Sequence, residues 1–170
     1  MNLKNYVEFG NDCKLTFSDF YVIKKDYIMK QYLEHDFEPN YNYKDFYNEI
    51  LEGYKLANVF GLEIIKTTPK TITTKQKRYK YTLLDIVEKK PEILYTYIDK
   101  IKQLIYDLEY YNLEHPDIAL RNICVDANNE LHLIDFHGLC KTKDGQANYI
   151  LESDVQEYIG ENICFSTNKT

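Results

Sequence analysis

The chain has 170 residues, 44% apolar and 28% charged, with 21 basic against 27 acidic side chains and a net charge of −6. That length suits one domain with a substantial core, and 17 Tyr with 8 Phe argue against a disordered chain. No apolar run is long enough to span a bilayer, and the first residues, MNLKNYVEFGNDCK, hold no stretch suited to a signal peptide. Cys13, Cys124, Cys140 and Cys164 lack disulfide or zinc-ligand spacing, so a cytoplasmic chain with reduced thiols and no membrane contact is expected. Only two of the basic residues are Arg, at 78 and 121.

In chain order, residues 13–24 alternate and are rich in β-formers, and 26–33 read as a second strand after a turn at Lys24-Lys25-Asp26. From 43 to 59 the apolar positions Phe46, Tyr47, Ile50, Leu51 and Tyr54 keep helical spacing, with Gly61 just past the end. Residues 62–66 and 79–87 read as strands. Between them, 66–80 carries Lys66, Lys70, Lys75, Lys77, Arg78 and Lys80 and no acidic residue. It reads as a solvated loop. The alternative is a patch for an acidic partner or nucleic acid, with nucleic acid the less favoured.

The second half opens on a helix from 94 to 113, with Leu94, Tyr97, Ile98, Ile101, Leu104, Ile105, Leu108 and Tyr111 in one stripe and Pro91 before it. Two short apolar runs, 123–125 and 131–134, flank Asp126-Ala127-Asn128-Asn129 and read as a β-hairpin. A last helix is expected from 153 to about 163, with a frayed tail at 166–170. Strands, helix, strands, then helix, hairpin, helix make an α+β chain.

The stretch EHPDIALRNICVDANNELHLIDFHG, 114–138, concentrates polar residues at fixed intervals: Asp117, Asn122 five positions on, and Asp135 thirteen further, across the hairpin. Oxygen donors fixed on backbone at the two ends of a hairpin suit a hard cation such as Mg²⁺, and a carboxylate on the preceding loop suits proton transfer from a hydroxyl. These residues resemble the protein-kinase superfamily: His115-Pro116-Asp117 stands for its His-Arg-Asp loop, Asn122 for the following Asn, and Asp135-Phe136 for its Asp-Phe-Gly metal loop.

The resemblance implies a two-lobed kinase-like fold, with a β-rich lobe at 1–87 and an abbreviated helical lobe at 88–165. It implies ATP and Mg²⁺ as cofactors. Asp117 would orient the acceptor hydroxyl, Asn122 and Asp135 would hold metal, and Arg121 would brace Asp117, as in the tyrosine-kinase version of the loop. Upstream, Tyr27-Ile28-Met29-Lys30 resembles the strand whose Lys holds the α- and β-phosphates, and Glu49, nineteen positions on, its helix partner. Lys24, Lys25 and Glu52 are the alternative assignments. Gly10 alone stands where a Gly-rich loop covers the nucleotide, Asp85 and Val87 would offer hinge backbone groups to adenine, and Ser153-Asp154 resembles the start of the buried anchoring helix.

The pattern departs from the family in three ways. Only nineteen positions separate Asp135 from Asp154, His137 enters the metal loop, and Pro116 replaces the Arg that reads a phosphorylated activation loop. It therefore resembles the minimal kinases: the RIO type, the kinase of the tRNA-modification complex, and abbreviated kinases of phages, viruses and bacteria. The expected activity is a minimal protein kinase acting on Ser/Thr or Tyr hydroxyls, in the host cytoplasm if the source is viral. Alternatives are a kinase-like binding module with little catalysis that acts on a partner protein, and a small-molecule kinase of the aminoglycoside or lipopolysaccharide type.

Overall fold

Alternating β-branched and aromatic residues build an antiparallel sheet in the first half of the chain. The computed structural model describes residues 13–15, 19–33 and 43–142, so Gly10, Ser153, Asp154 and the C-terminal helix expected from the sequence lie outside the described residues. These fall into two compact units, divided between Arg78 and Tyr79.

In the first unit, β1 (Cys13–Leu15), β2 (Asp19–Ile23), β3 (Tyr27–Leu33), β4 (Glu63–Thr68) and β5 (Thr71–Lys77) form one sheet in the order β1-β2-β3-β5-β4. The turn at 24–26 closes the β2–β3 hairpin through Lys24 N–H to the Tyr27 carbonyl (2.9 Å). Between β3 and β4 runs α1 (Tyr43–Leu56), which buries Ile50 and Tyr54 and tightens into a 3₁₀ turn, Ala57–Phe60. Gly61 ends it at φ 83°, a conformation that costs glycine nothing. The Tyr47 hydroxyl, on α1, donates to the Thr68 carbonyl (2.6 Å) at the end of β4.

The expectation of a solvated loop at 66–80 is corrected here: Thr71–Lys77 is an interior strand of the sheet, paired on one side with β3 and on the other with β4. Its Thr71-Ile72-Thr73-Thr74 run is β-branched, and Ile72, Thr73 and Thr74 are buried. A polar residue is tolerated there because it is bonded. Buried Gln31 on β3 donates its amide to the Thr73 hydroxyl at 3.1 Å.

The second unit begins with β6 (Tyr81–Thr82) and a short helix, α2 (Leu83–Val87), where a single strand was expected at 79–87. The reason is a capping box. The Thr82 hydroxyl accepts from Asp85 N–H (3.1 Å), and the Asp85 carboxylate accepts from Thr82 N–H (2.7 Å). The long helix also starts later than its apolar stripe. Pro91–Tyr97 is 3₁₀, with the Thr96 hydroxyl bonded back to the Ile93 carbonyl (2.7 Å), and α3 is Ile98–Tyr110. Ile101, Ile105 and Leu108 of α3 are fully buried, and Asn112, at φ 54°, ends the run.

After α3 come β7 (Leu113–Glu114), β8 (Ile123–Val125), β9 (Leu131–Leu133) and β10 (Cys140–Lys141), in sheets ordered β6-β8-β9 and β10-β7. The β8–β9 hairpin is pinned by Asp126, whose carboxylate accepts from Asn128 N–H (2.8 Å), Glu130 N–H (2.9 Å) and the His132 ring (3.1 Å). The bond from Glu130 N–H, then that from His132, holds the Asp126 carboxyl down at about 2. Among the described residues no helix is long and apolar enough to cross a membrane.

The capping box gives a direct test. Thr82→Ala removes the cap of a helix whose Leu83 and Val87 are buried, and should lower unfolding stability by about 1 kcal/mol in urea titration.

Candidate active site

Pairing of Glu114 with Cys140 and of Leu113 with Lys141 joins the two ends of the segment that carries the polar motif. Within it, buried Ile118, Ala119 and Leu120 anchor the loop, and a 3₁₀ turn, Leu120–Asn122, leads straight into β8. That turn brings Arg121 and Asn122 back over Asp117. Arg121 Nη2 reaches both carboxylate oxygens of Asp117, at 2.9 and 2.8 Å. Asn122 Nδ2 donates to Asp117 Oδ2 (2.8 Å) and to its backbone carbonyl (3.1 Å).

The side chains of the Arg121–Asp117 pair are 52% and 38% exposed, so solvent screening limits it to about 0–1 kcal/mol of stability. Its effect is orientation: it fixes a carboxylate in place. Both hydrogens of Asn122 Nδ2 are spent on Asp117, and among the described residues no donor engages Asn122 Oδ1. That oxygen is a hard donor atom of the kind a cation such as Mg²⁺ takes as a ligand.

The loop is tied to the segment after β9 through Ile134. Its N–H donates to the Asn122 carbonyl (2.9 Å), and its carbonyl accepts from His115 Nε2 (3.2 Å). His115 Nδ1 accepts from Asp117 N–H (3.2 Å), so Nε2 carries the proton and the ring is neutral. Burial pushes the His115 pKa below its ordinary value, against smaller upward pulls from the Ile134 bond, Asp135 and Asp117. The ring stands edge-on to buried Phe136, 5.9 Å between centroids at 71°.

Asp135 follows Ile134 at φ 61°, an uncommon conformation for a residue with a side chain, and its side chain is exposed. Gly138 turns the segment at φ 85°, and a Cβ there would stand 3.2 Å from Pro116 Cγ. Pro116 thus packs onto the turn at Gly138. Asp117, Arg121, Asn122, His115 and the Ile134–Asp135 backbone form one bonded assembly within the second unit. Sequence reading gave His115 no role beyond its motif, although an apolar setting around a His-x-Asp run was visible.

The other residues named from the sequence lie elsewhere. Lys30 sits mid-strand on β3, opposite Thr74 of β5 and Tyr21 of β2. Glu49 is on the exposed side of α1. Lys24 and Lys25 lie in the β2–β3 turn, and Glu52 pairs with Lys55 at 2.6 Å. The hinge strand expected at Asp85 and Val87 is replaced by capped α2. The Asp85 N–H is donated to Thr82 and the Val87 carbonyl accepts from Lys90 N–H, so these groups serve the helix itself. Among the described residues no three His, Cys, Asp or Glu side chains gather into a closed metal cage.

The fold is similar to solved structures of WbdD. One, described as a co-crystal with the kinase inhibitor LY294002, shares 16% identity at a TM-score of 0.57, covering 77% of this chain and 33% of that one. Another, with its C-terminal bundle ordered, shares 18% at 0.59, covering 86% and 33%. A third, described as a bifunctional kinase-methyltransferase, shares 16% at 0.56, covering 76% and 31%. The chain therefore spans about a third of the length of these structures. No protein family matches it in sequence, and no curated protein does. The fold is α+β and kinase-like.

The buried neutral histidine sets a pH dependence. Its folded-state pKa lies below the unfolded value of 6.5, so its stabilisation is complete above 6.5 and is lost as pH falls through that value. The melting-temperature gap between the wild type and His115→Gln should be widest at pH 7.5 and narrow by pH 5.5.

Proposed function

We propose that the chain is an ATP- and Mg²⁺-dependent phosphotransferase that acts on a protein hydroxyl. The supporting observation is the Asp117 carboxylate, held by Arg121 and Asn122 and tied through His115 and Ile134 to Asp135. The structural neighbour's description as a kinase-methyltransferase agrees with this class.

In this reading Asp117 aligns the acceptor hydroxyl and takes its proton while the hydroxyl oxygen bonds to the γ-phosphorus and the bond to the ADP oxygen breaks. Arg121 keeps the carboxylate oriented and offsets its charge. Asn122 Oδ1 and the Asp135 carboxylate are hard oxygen donors suited to Mg²⁺, which when bound would neutralise the phosphate charge. Lys30 holds the α- and β-phosphates, and Glu49 is its proposed partner in the nucleotide-bound chain. The proposed setting is the cytoplasm, where ATP and Mg²⁺ are at hand.

A second reading, a kinase-like binding module with weak or no catalysis, is favoured by Glu49, which stands exposed. Two measurements separate the readings. Transfer of labelled phosphate from ATP to an added protein acceptor should fall about 10²–10⁴-fold in Asp117→Asn. Mg-ATP at 100 times its Kd should stabilise the wild type by about 2.7 kcal/mol, and Asp135→Ala should lose that shift. Transfer together with the shift supports the phosphotransferase, and absence of transfer, with or without the shift, overturns it in favour of the binding module.

A further inference from the structure

The start of the second unit sets an exposed tyrosine between two lysines. Tyr81 lies on β6, opposite Val125 of β8. Lys80 precedes it in the chain, and Lys89 follows directly on Glu88, the C-cap of α2. The short capped helix brings Lys89 back to the tyrosine. The Lys80 ammonium stands 4.9 Å from the centre of the Tyr81 ring, and the Lys89 ammonium 5.4 Å.

Among the described residues neither ammonium takes part in a salt bridge, whereas Lys90 lies 4.0 Å from Glu92. Asp85 acts on both Tyr81 and Lys89, but its Oδ2 accepts from the Thr82 N–H (2.7 Å) and hydroxyl (2.9 Å). The Lys80 ammonium, through a hydrogen bond and then its charge, holds the Tyr81 hydroxyl below its ordinary range. Tyr95, Tyr106 and Tyr110 are more exposed, yet no described cation stands over their rings. Exposure alone therefore does not single out Tyr81; the cations do. A ring face in water is a weak partner for an ammonium. A phosphate ester, with close to two negative charges and three acceptor oxygens, is a far stronger one.

We propose that the Tyr81 hydroxyl is a phosphorylation site, with Lys80 and Lys89 as the cradle for the phosphate ester. In that step the Tyr81 oxygen bonds to the γ-phosphorus of ATP and the bond from that phosphorus to the ADP oxygen breaks. The phenolic proton passes to a base of the transferring enzyme. That enzyme is this chain or a separate tyrosine-directed kinase, so the site does not rest on the function proposed above. Once attached, the ester joins the residue before β6 to the residue after α2, closing a strap around the capped helix.

The test has two parts, both on the full chain. Phosphotyrosine is installed at 81 by genetic code expansion and its ionisation followed by phosphorus NMR. It should titrate about one pH unit below phosphotyrosine installed at exposed Tyr110. Lys89→Ser should return about half of that difference, and Lys90→Ser none of it. Identical titration at 81 and 110 overturns the cradle. In the second part the chain is incubated with labelled ATP and Mg²⁺, alone and with a broad-specificity tyrosine kinase, and its peptides are mapped. Label at Tyr81 that disappears in Tyr81→Phe is expected in at least one incubation. Label from the chain alone that Asp117→Asn abolishes names the chain as its own enzyme, and label only with the added kinase supports the site even where the chain transfers nothing. No label at Tyr81 in either incubation overturns the proposal, whatever the chain does to other proteins.

Discussion

The assembly around Asp117 depends on a histidine kept neutral by burial. A charged imidazole would have no lone pair to accept the Asp117 N–H, so the two-sided bonding of His115 requires the uncharged ring. The protein satisfies that requirement by burying the ring against Phe136 and giving each nitrogen one backbone partner. From that point the geometry propagates. The Ile134 carbonyl is fixed, its N–H holds the Asn122 carbonyl, and Asp135 leaves the hairpin with its backbone already turned. Two loops that are distant in sequence become one rigid object, and the exposed carboxylates on it inherit that rigidity.

Much of this was legible in the residues, and the failures have physical causes. The β8–β9 hairpin and the positions of Asp117, Asn122 and Asp135 follow from short apolar runs around a turn, a strongly local signal. Strand β5 was missed because its burial is carried by threonines whose hydroxyls have partners; a hydropathy pattern does not register a polar side chain satisfied by Gln31 across the sheet. The β-branched Thr-Ile-Thr-Thr run was the available signal. The strand expected at 79–87 failed for a different reason: Leu-Leu-Asp-Ile-Val suits either period, and the Thr82-x-x-Asp85 box decides in favour of a helix. His115 shows the limit of motif reading. Its neighbours announce a loop, but its tautomer is set by the Ile134 carbonyl nineteen residues away.

The two units also differ in how they tolerate polarity inside. In the first, buried Gln31 gives its amide N–H to the Thr73 hydroxyl while its Oε1 stays without a partner, an unmatched atom that costs about 1–3 kcal/mol. In the second, the buried side chains of α2 and α3 are aliphatic, and polar groups are gathered where the loops need them. Rigidity at the site thus rests on an apolar foundation, with hydrogen bonds reserved for direction.

Pro116 and Gly138 carry a consequence for divergence. A side chain at 138 would need a left-handed backbone and would press on the proline ring, so position 138 is closed to side chains on two separate grounds. A side chain placed at 138 would be accommodated only if the turn were re-routed and the proline ring moved aside together. A bulkier residue in the first loop would go with a re-routed turn in the second.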